Sequence, residues 1–145
     1  MVRITLADPA VYMQRISALM LDNWEETGFD FEFAPSVEMY QQAVANGVMF
    51  ALAAIDGDDV IGYCTMAVTP HMHNPSMIFA ANDALFVRKD RRGIVSARLI
   101  TAAEDEAKRR GASRVLWHTR AGTGLASMLE RRGYKPSDVV VMKEI

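Results

Sequence analysis

The sequence predicts an α/β (α+β) fold, a mixed β-sheet with helices on its faces. Three observations predict it. The elements run strand, two helices, a strand hairpin, a long strand, helix, strand, helix, strand. The apolar pattern switches between the strand period of two and the helix period near 3.6 along the chain. The chain has 145 residues, half of them apolar, enough to bury about two-thirds of the unfolded surface without a disulfide or metal staple. One domain over residues 1–145 is expected from that length, and no repeat, linker or low-complexity tract interrupts it.

In chain order, Val2 to Leu6 alternates Val, Ile and Leu with Arg and Thr, as a strand does. Asp8-Pro9 supplies an N-cap and a proline for the first helical position. The helix that follows runs to about Trp24, with Tyr12, Ile16, Leu19, Met20 and Asn23 at spacings of three and four. Glu25 to Phe33 is acidic and aromatic around Gly28 and reads as a loop. Pro35-Ser36 opens a second helix through Ala45, which Asn46-Gly47 ends. Val48 to Ile55 is a nearly continuous apolar run that fits a buried strand, and Asp56-Gly57-Asp58-Asp59 turns it into a partner strand from Val60 to Val68. Thr69 to Ser76, with two prolines and two histidines, predicts a loop before a long strand from Met77 to Val87.

Gly93 to Arg110 is the clearest helix. Val95, Leu99, Ala102, Ala103 and Ala107 mark its buried side, and Glu104–Lys108, Asp105–Arg109 and Glu106–Arg110 are acid-to-base pairs in the favourable order. Gly111 stops it. Arg114 to Thr119 predicts a strand. Thr123 caps a short helix to Arg132 that Gly133 ends, and Tyr134 onward, with VVVM, predicts a last strand.

Net charge is -2, but its distribution is lopsided. Residues 1–60 hold two basic side chains against ten acidic, and residues 61–145 hold fourteen against eight. Five of the basic residues fall between Arg88 and Arg98, a cluster that suits either a polyanion or a solvated loop. The pI of about 5.9 speaks against nucleic acid as the partner. The lone cysteine, Cys64, forms no internal disulfide and reads as an apolar filler. There is no apolar signal core at the start and no run approaching the ~18 residues a bilayer span needs, so a cytosolic protein with no membrane partner is expected.

The stretch from Asp83 to Ile100 carries the chemistry. A strand ends at Val87, a basic loop follows, and a long helix begins near Gly93. Unpaired N–H groups at a helix N-terminus, flanked by Arg91 and Arg92 beside a glycine, suit a pyrophosphate; a structural strand-loop-helix turn uses the same residues. His71-Met-His73 has too few ligands to argue a metal.

This stretch resembles the acetyl-CoA signature of the GNAT N-acetyltransferases, Gln/Arg-x-x-Gly-x-Gly/Ala between the fourth strand and the third helix. Counting back from Leu99-Ile100 places Arg91 at the leading position, Ile94 at the first glycine and Ser96 at the Gly/Ala. A second register puts Gly93 at that glycine, with Asp90 leading and Val95 last. Either way one glycine is replaced. Arg132-Gly133-Tyr134 resembles the Gly-Phe/Tyr that opens the family's later strands. The resemblance covers residues 48–145 well and 1–47 only by element order, and is nearest to small phage or prophage members.

The resemblance implies a mostly antiparallel sheet of about six to seven strands with about four helices, the fourth and fifth strands splayed apart. It implies acetyl-CoA as co-substrate, with no metal, along Leu85, Phe86 and Val87 and at Arg91, Arg92, Gly93, Ile94, Val95 and Ser96, with Arg120 as a further contact. It implies acetyl transfer to a primary amine in a ternary complex, the alternative being a catalytically inactive GNAT-fold CoA-binding or protein-interaction module. An alkyl amine is mostly protonated at neutral pH, so a base is useful. Asp83 and His118 lead as candidates, with His71, His73, Glu25 and Glu26 behind them. The thiolate's usual acid, a tyrosine, is replaced by Leu129, leaving Ser127, Tyr134 or water. Asp22, Glu25, Glu26, Asp30, Glu32 and Glu38 suit a cationic small-molecule or peptide acceptor, or form a solvated surface. Trp24, Phe29, Phe31 and Phe33 line an apolar pocket or anchor their loop. A homodimer is expected from relatives.

Overall fold

The computed structural model describes residues 1–145, apart from the side chains of Pro9 and Ala10. Among the described residues it forms β1 (Val2–Ala7), α1 (Pro9–Thr27), α2 (Val37–Ala45), β2 (Met49–Asp56), β3 (Asp59–His71), β4 (Asn74–Val87), a single 3-10 turn (Lys89–Arg91), α3 (Ile94–Arg109), β5 (Arg114–Leu116) and α4 (Gly124–Arg131). The sheet order is β1-β2-β3-β4-β5, antiparallel throughout except for the parallel β4–β5 pair. No described helix is long and apolar enough to cross a membrane.

The apolar run of β2 is explained by burial on both faces. Leu52 and Ala54 belong to a core with Ile61, Cys64, Val95, Leu99 and Ala103, under α3. Ala53 and Ile55 belong to a second core with Met13, Ile16, Leu19 and Met20, under α1. Alternate residues of one strand thus feed opposite layers, which removes the polar alternation a one-sided sheet shows. In β4 the same alternation sends Val87 to the first core and Phe86 to the second.

Helix ends follow their signals. Ser36 caps α2 by accepting from the Met39 amide, and Thr123 caps α4 by accepting from Ala126. The Asp8 carbonyl accepts from Val11 and Tyr12 at the start of α1. The proline expected at the first helical position lies outside the described side chains.

Four expectations are corrected. The helix expected to end at Trp24 continues to Thr27. The loop expected over Thr69 to Ser76 is the tip of the β3–β4 hairpin, where His71 pairs with Asn74. A register irregularity beside Pro70 lets the ladder tolerate a residue with no N–H to donate. The strand expected through Thr119 ends at Leu116. The last expected strand is absent: among the described residues the sheet has five strands, not six or seven, and Val139 to Met142 are 79–95% exposed. Val-rich composition states a propensity, and a strand also needs a paired edge.

On α3, one of the three expected ion pairs forms. Glu106 accepts from Arg109 Nε at 2.8 Å and Arg110 Nε at 2.7 Å, whereas Glu104 turns to Arg132 at 3.2 Å and the Tyr134 hydroxyl at 3.0 Å. The Arg109 and Arg110 guanidiniums hold the Glu106 carboxyl below its usual range, against the opposing effect of burial. A depressed folded pKa stabilises above the ordinary value of 4.5 and loses that contribution as pH falls through the folded value. Glu106→Gln should therefore melt below the parent at pH 7, and the gap should close as acid melts are run below that value.

Gly62 of β3 has no room for a side chain: a Cβ would lie 2.9 Å from the Phe86 carbonyl oxygen and 3.0 Å from Val87 Cγ2. Gly62→Ala should cost about 1–3 kcal/mol, read as a lower denaturant midpoint at unchanged slope.

Candidate active site

The site begins where the sheet stops pairing. β4 meets β5 only through Phe79–Ala81 against Arg114–Leu116. At the next residue a side chain takes over: Asn82 Oδ1 accepts from the His118 amide at 2.6 Å, and Asn82 Nδ2 donates to the His118 carbonyl at 3.3 Å. Beyond this clamp the edge of β4 is open. The Arg88 amide donates to Ile61 of β3 at 3.0 Å, so strand alternation turns the backbone groups of Phe86 toward β3 and leaves the N–H and C=O of Leu85 and the N–H of Val87 on the open edge, where Arg92 Nε already bonds the Val87 carbonyl.

A cleft of about 780 Å³ follows this edge. Asp83 to Val87 form one wall, His118, Thr119, Arg120 and the start of α4 form the other, and Arg92, Gly93 and Ser96 close one end. Gly93 caps α3 at φ 91°, a left-handed conformation in which glycine is the unstrained residue. The first helical bond runs from the Ala97 amide to Gly93, so the amides of Ile94, Val95 and Ser96 have no acceptor within the helix. These groups can receive a diphosphate, and the open β4 edge can pair with an extended amide-bearing chain.

The basic cluster does not form one patch. Arg91 pairs with Asp56 at 2.6 Å, Arg88 with Asp90 at 3.0 Å, and Arg98 donates to the Val2 carbonyl at 2.8 Å. Of the four arginines in this cluster, Arg92 lines the cleft. It bonds Glu26 at 2.6 Å and the Val87 carbonyl at 2.8 Å, with its guanidinium 5.4 Å from the Phe86 ring centroid. The Arg92 contact holds the Glu26 carboxyl below its usual range. The Ile94 side chain is 78% exposed and that of Val95 is buried in the core; Gly93 and Ser96 line the cleft, and Ile94 and Val95 do not.

Asp83 sits on a β-bulge. Thr65 pairs with Ala84 and Met66 with Asn82, leaving Asp83 without a register partner and re-aimed. Its Oδ2 accepts from the Tyr40 hydroxyl and from Thr65 Oγ1, each at 2.9 Å. It lies at the base of a second cavity, of about 490 Å³, under the end of α1, the 28–36 segment and α2. Asp83, Ala84, Asn23 and Phe29 line both cavities, so the two meet there. Trp24 anchors the second cavity: its ring lies 4.5 Å from Phe29 and Phe31 and 5.9 Å from Phe33. The four aromatics thus line a pocket. Burial pushes the Tyr63 hydroxyl up to about 12, and burial with the Asp83 charge pushes Tyr40 higher still. Both phenols are protonated at neutral pH; Tyr40 donates to Asp83, and Tyr63 accepts from Asn23 Nδ2 at 3.3 Å.

His118 and Arg120 line the cleft. His71 and His73 stand at the far hairpin tip, rings 5.6 Å apart. Among the described residues no three metal-ligating side chains cluster. Cys64 is fully buried, and desolvation pushes its thiol far up. Leu129 is buried in the core, the Tyr134 hydroxyl bonds Glu104, and neither Ser127 nor Tyr134 lines the cleft. Of the six acidic residues that suit a cationic acceptor, Glu32 lines the aromatic cavity and Glu26 the cleft. Tyr40, Thr65, Asn82 and Asn23 are site residues the sequence does not single out. The one visible signal is the polar pair Asn82-Asp83 inside an otherwise apolar strand.

Solved structures share this architecture. A ribosomal-protein-alanine N-acetyltransferase from Brucella melitensis biovar Abortus 2308 superposes with a TM-score of 0.76 at 15% identity, covering 99% of this chain and 98% of that one. An aminoglycoside acetyltransferase from an uncultured soil metagenomic sample, in complex with sisomicin, reaches 0.78 at 16% identity, covering 99% and 96%. A predicted acetyltransferase from Clostridium acetobutylicum, with acetyl-CoA, reaches 0.76 at 14% identity, covering 99% and 96%. At these identities the likeness is one of fold. Among curated proteins no relative matches at a significant level. The family model for the acetyltransferase (GNAT) family matches residues 16–134, which span the bulge, the open edge of β4 and the start of α3, and the chain belongs to that family.

Proposed function

We propose that the protein is an N-acetyltransferase that moves an acetyl group from acetyl-CoA to a primary amine by direct attack in a ternary complex. The observation that carries this reading is the meeting of two cavities at Asp83: one runs along the open β4 edge to the N-terminus of α3, the other is lined by Trp24, Phe29, Phe31 and Phe33. The residues fit the co-substrate. The amides of Ile94, Val95 and Ser96 with Arg92 suit its diphosphate, and the N–H and C=O of Leu85 with the N–H of Val87 suit its amide-bearing arm. Bound there, acetyl-CoA supplies an acetyl group activated as a thioester.

The chain's own groups handle charge and protons. An ammonium entering the aromatic cavity meets Asp83, which takes a proton directly or through one water and leaves the amine able to attack. The amine nitrogen forms the C–N bond as the C–S bond breaks. The electron pair leaves on sulfur, and a second proton is shed from nitrogen, so one proton is released net for each free thiol formed. An N–H on the open edge of β4 stabilises the oxygen as negative charge develops, a contribution of about 3 kcal/mol where such a donor is well aimed. With Leu129 buried and Tyr134 held by Glu104, water protonates the thiolate.

Those same two residues favour a second reading, a binding module without turnover. Tight acetyl-CoA binding with no thiol release across a broad amine panel would select it.

Titration calorimetry separates Arg92 from Arg91. Arg92→Glu should weaken acetyl-CoA binding at least about tenfold, because a carboxylate replaces a charge-assisted donor beside the diphosphate. Arg91→Glu, which opposes Asp56, should lower stability and change affinity less; the reverse order would restore Arg91 as the anion contact.

Asp83→Asn should lower kcat by about 10²–10⁴ with acetyl-CoA affinity unchanged. An unchanged kcat would take the base role from Asp83 and leave His118 as the candidate on the facing wall.

A further inference from the structure

The cavity that meets the cleft at Asp83 differs in kind from the acidic surface around it. Its walls are mainly aromatic and aliphatic: Trp24 packs on Phe29 and Phe31 with ring centroids at 4.5 Å, and Met20, Met39 and Met49 add to the apolar lining. Two carboxylates belong to it, Asp83 and Glu32, and Asp83 alone is shared with the cleft. The hydroxyls that bond Asp83 are neutral, so its negative charge is held in place without being cancelled. Phe29 and Phe31 are 49% and 62% exposed, apolar area that an occupant would cover.

We infer that the acceptor is a small primary amine with an aromatic or alkyl body, bound body-first among Trp24, Phe29 and Phe31 with its ammonium at Asp83. This rests on the transferase reading and narrows it. A polyamine or aminoglycoside spreads several charges along its length. Such a molecule would bring several further ammonium or hydroxyl groups into a cavity whose second carboxylate is Glu32 and whose wall is otherwise mainly aromatic, alanine and methionine side chains, so most of those groups would lose water without gaining a full set of hydrogen-bond partners. A monoamine with an apolar body puts its one charge at Asp83 and its carbon on the rings. The volume, about 490 Å³, is that of a small-molecule site. The position sets regiochemistry as well: an amine drawn to Asp83 stands where the two cavities join, at the open edge of β4.

The test is calorimetry with 2-phenylethylamine, its uncharged isostere 2-phenylethanol, and spermidine, each with and without CoA, alongside acetyl-CoA alone and a thiol-release assay on both amines. The expected result is binding and acetylation of 2-phenylethylamine, with 2-phenylethanol and spermidine each at least about tenfold weaker. Phe31→Ala, at an exposed ring whose loss leaves both cores intact, should raise KM for 2-phenylethylamine about tenfold and leave KM for methylamine within twofold. Trp24→Ala should act in the same direction. No binding of 2-phenylethylamine in either state, or spermidine the better substrate, overturns the inference while acetyl-CoA binding keeps the transferase reading standing. Equal binding of 2-phenylethanol overturns the role given to Asp83. Absent acetyl-CoA binding, with 2-phenylethylamine still bound, removes the transferase reading and leaves the amine pocket.

Discussion

The pairing of β4 with β5 stops after three residues, and the site depends on that stop. Had the ladder continued, every N–H and C=O from Ala81 to Val87 would be consumed within the sheet, and no cleft would exist. An unpaired interior edge is ordinarily a liability, because it invites pairing with another chain. Here the divergence is pinned at its origin by Asn82, whose side-chain amide copies a backbone group and holds His118 at the last point where the two segments touch. The open edge is consequently short, recessed between two walls and aimed at the start of α3. A bound chain with its own amides completes the ladder that the protein leaves unfinished.

The bulge at Asp83 and the splay after Ala81 are neighbouring expressions of one constraint. Beyond Asp83 the end of β4 sends buried side chains to a core on each face, Phe86 to one and Val87 to the other, which leaves a charged side chain no place in that alternation. Inserting one extra residue in β4 relative to β3 lifts Asp83 out of the two-face alternation, while Phe86 and Val87 beyond it still serve the two cores. Thr65 and Tyr40 then fix the orientation of its carboxylate through hydrogen bonds from uncharged donors. An arginine in either place would satisfy the same oxygens but neutralise the site for a cationic ligand. The choice of hydroxyl donors keeps one net negative charge at the junction of the cavities.

Charge elsewhere is settled locally. Five basic residues between Arg88 and Arg98 suggest a pooled anion site, yet all four arginines have separate partners: Arg91 has Asp56, Arg88 has Asp90, Arg98 has the Val2 carbonyl and Arg92 has Glu26. The 3-10 turn before α3 fans neighbouring side chains in different directions, so sequence proximity does not become a shared surface. Arg92, one residue closer to the helix, is turned toward β4 and lies against Phe86 and the Val87 carbonyl. A single residue of offset thus separates a structural arginine from one in the cleft.

That offset shows how far sequence carries. The order of elements, the caps at Ser36 and Thr123, and the strand-loop-helix around Gly93 were all legible, because each is specified by residues within a few positions of one another. The bulge was visible only indirectly, as Asn82-Asp83 in an apolar strand, since a bulge is a relation between two strands. Tyr40 and Thr65 were not legible at all: they reach Asp83 across 43 and 18 residues, and nothing in a helical tyrosine or a strand threonine announces such a partner. The terminal VVVM failed in the opposite direction, as a strong local propensity for which the sheet supplies no edge. The aromatic residues of the 24–33 stretch fall between these cases. Their type announced a pocket or an anchor, and the choice between the two was made by Asp83, which the chain brings to the floor beneath them from a strand fifty residues on.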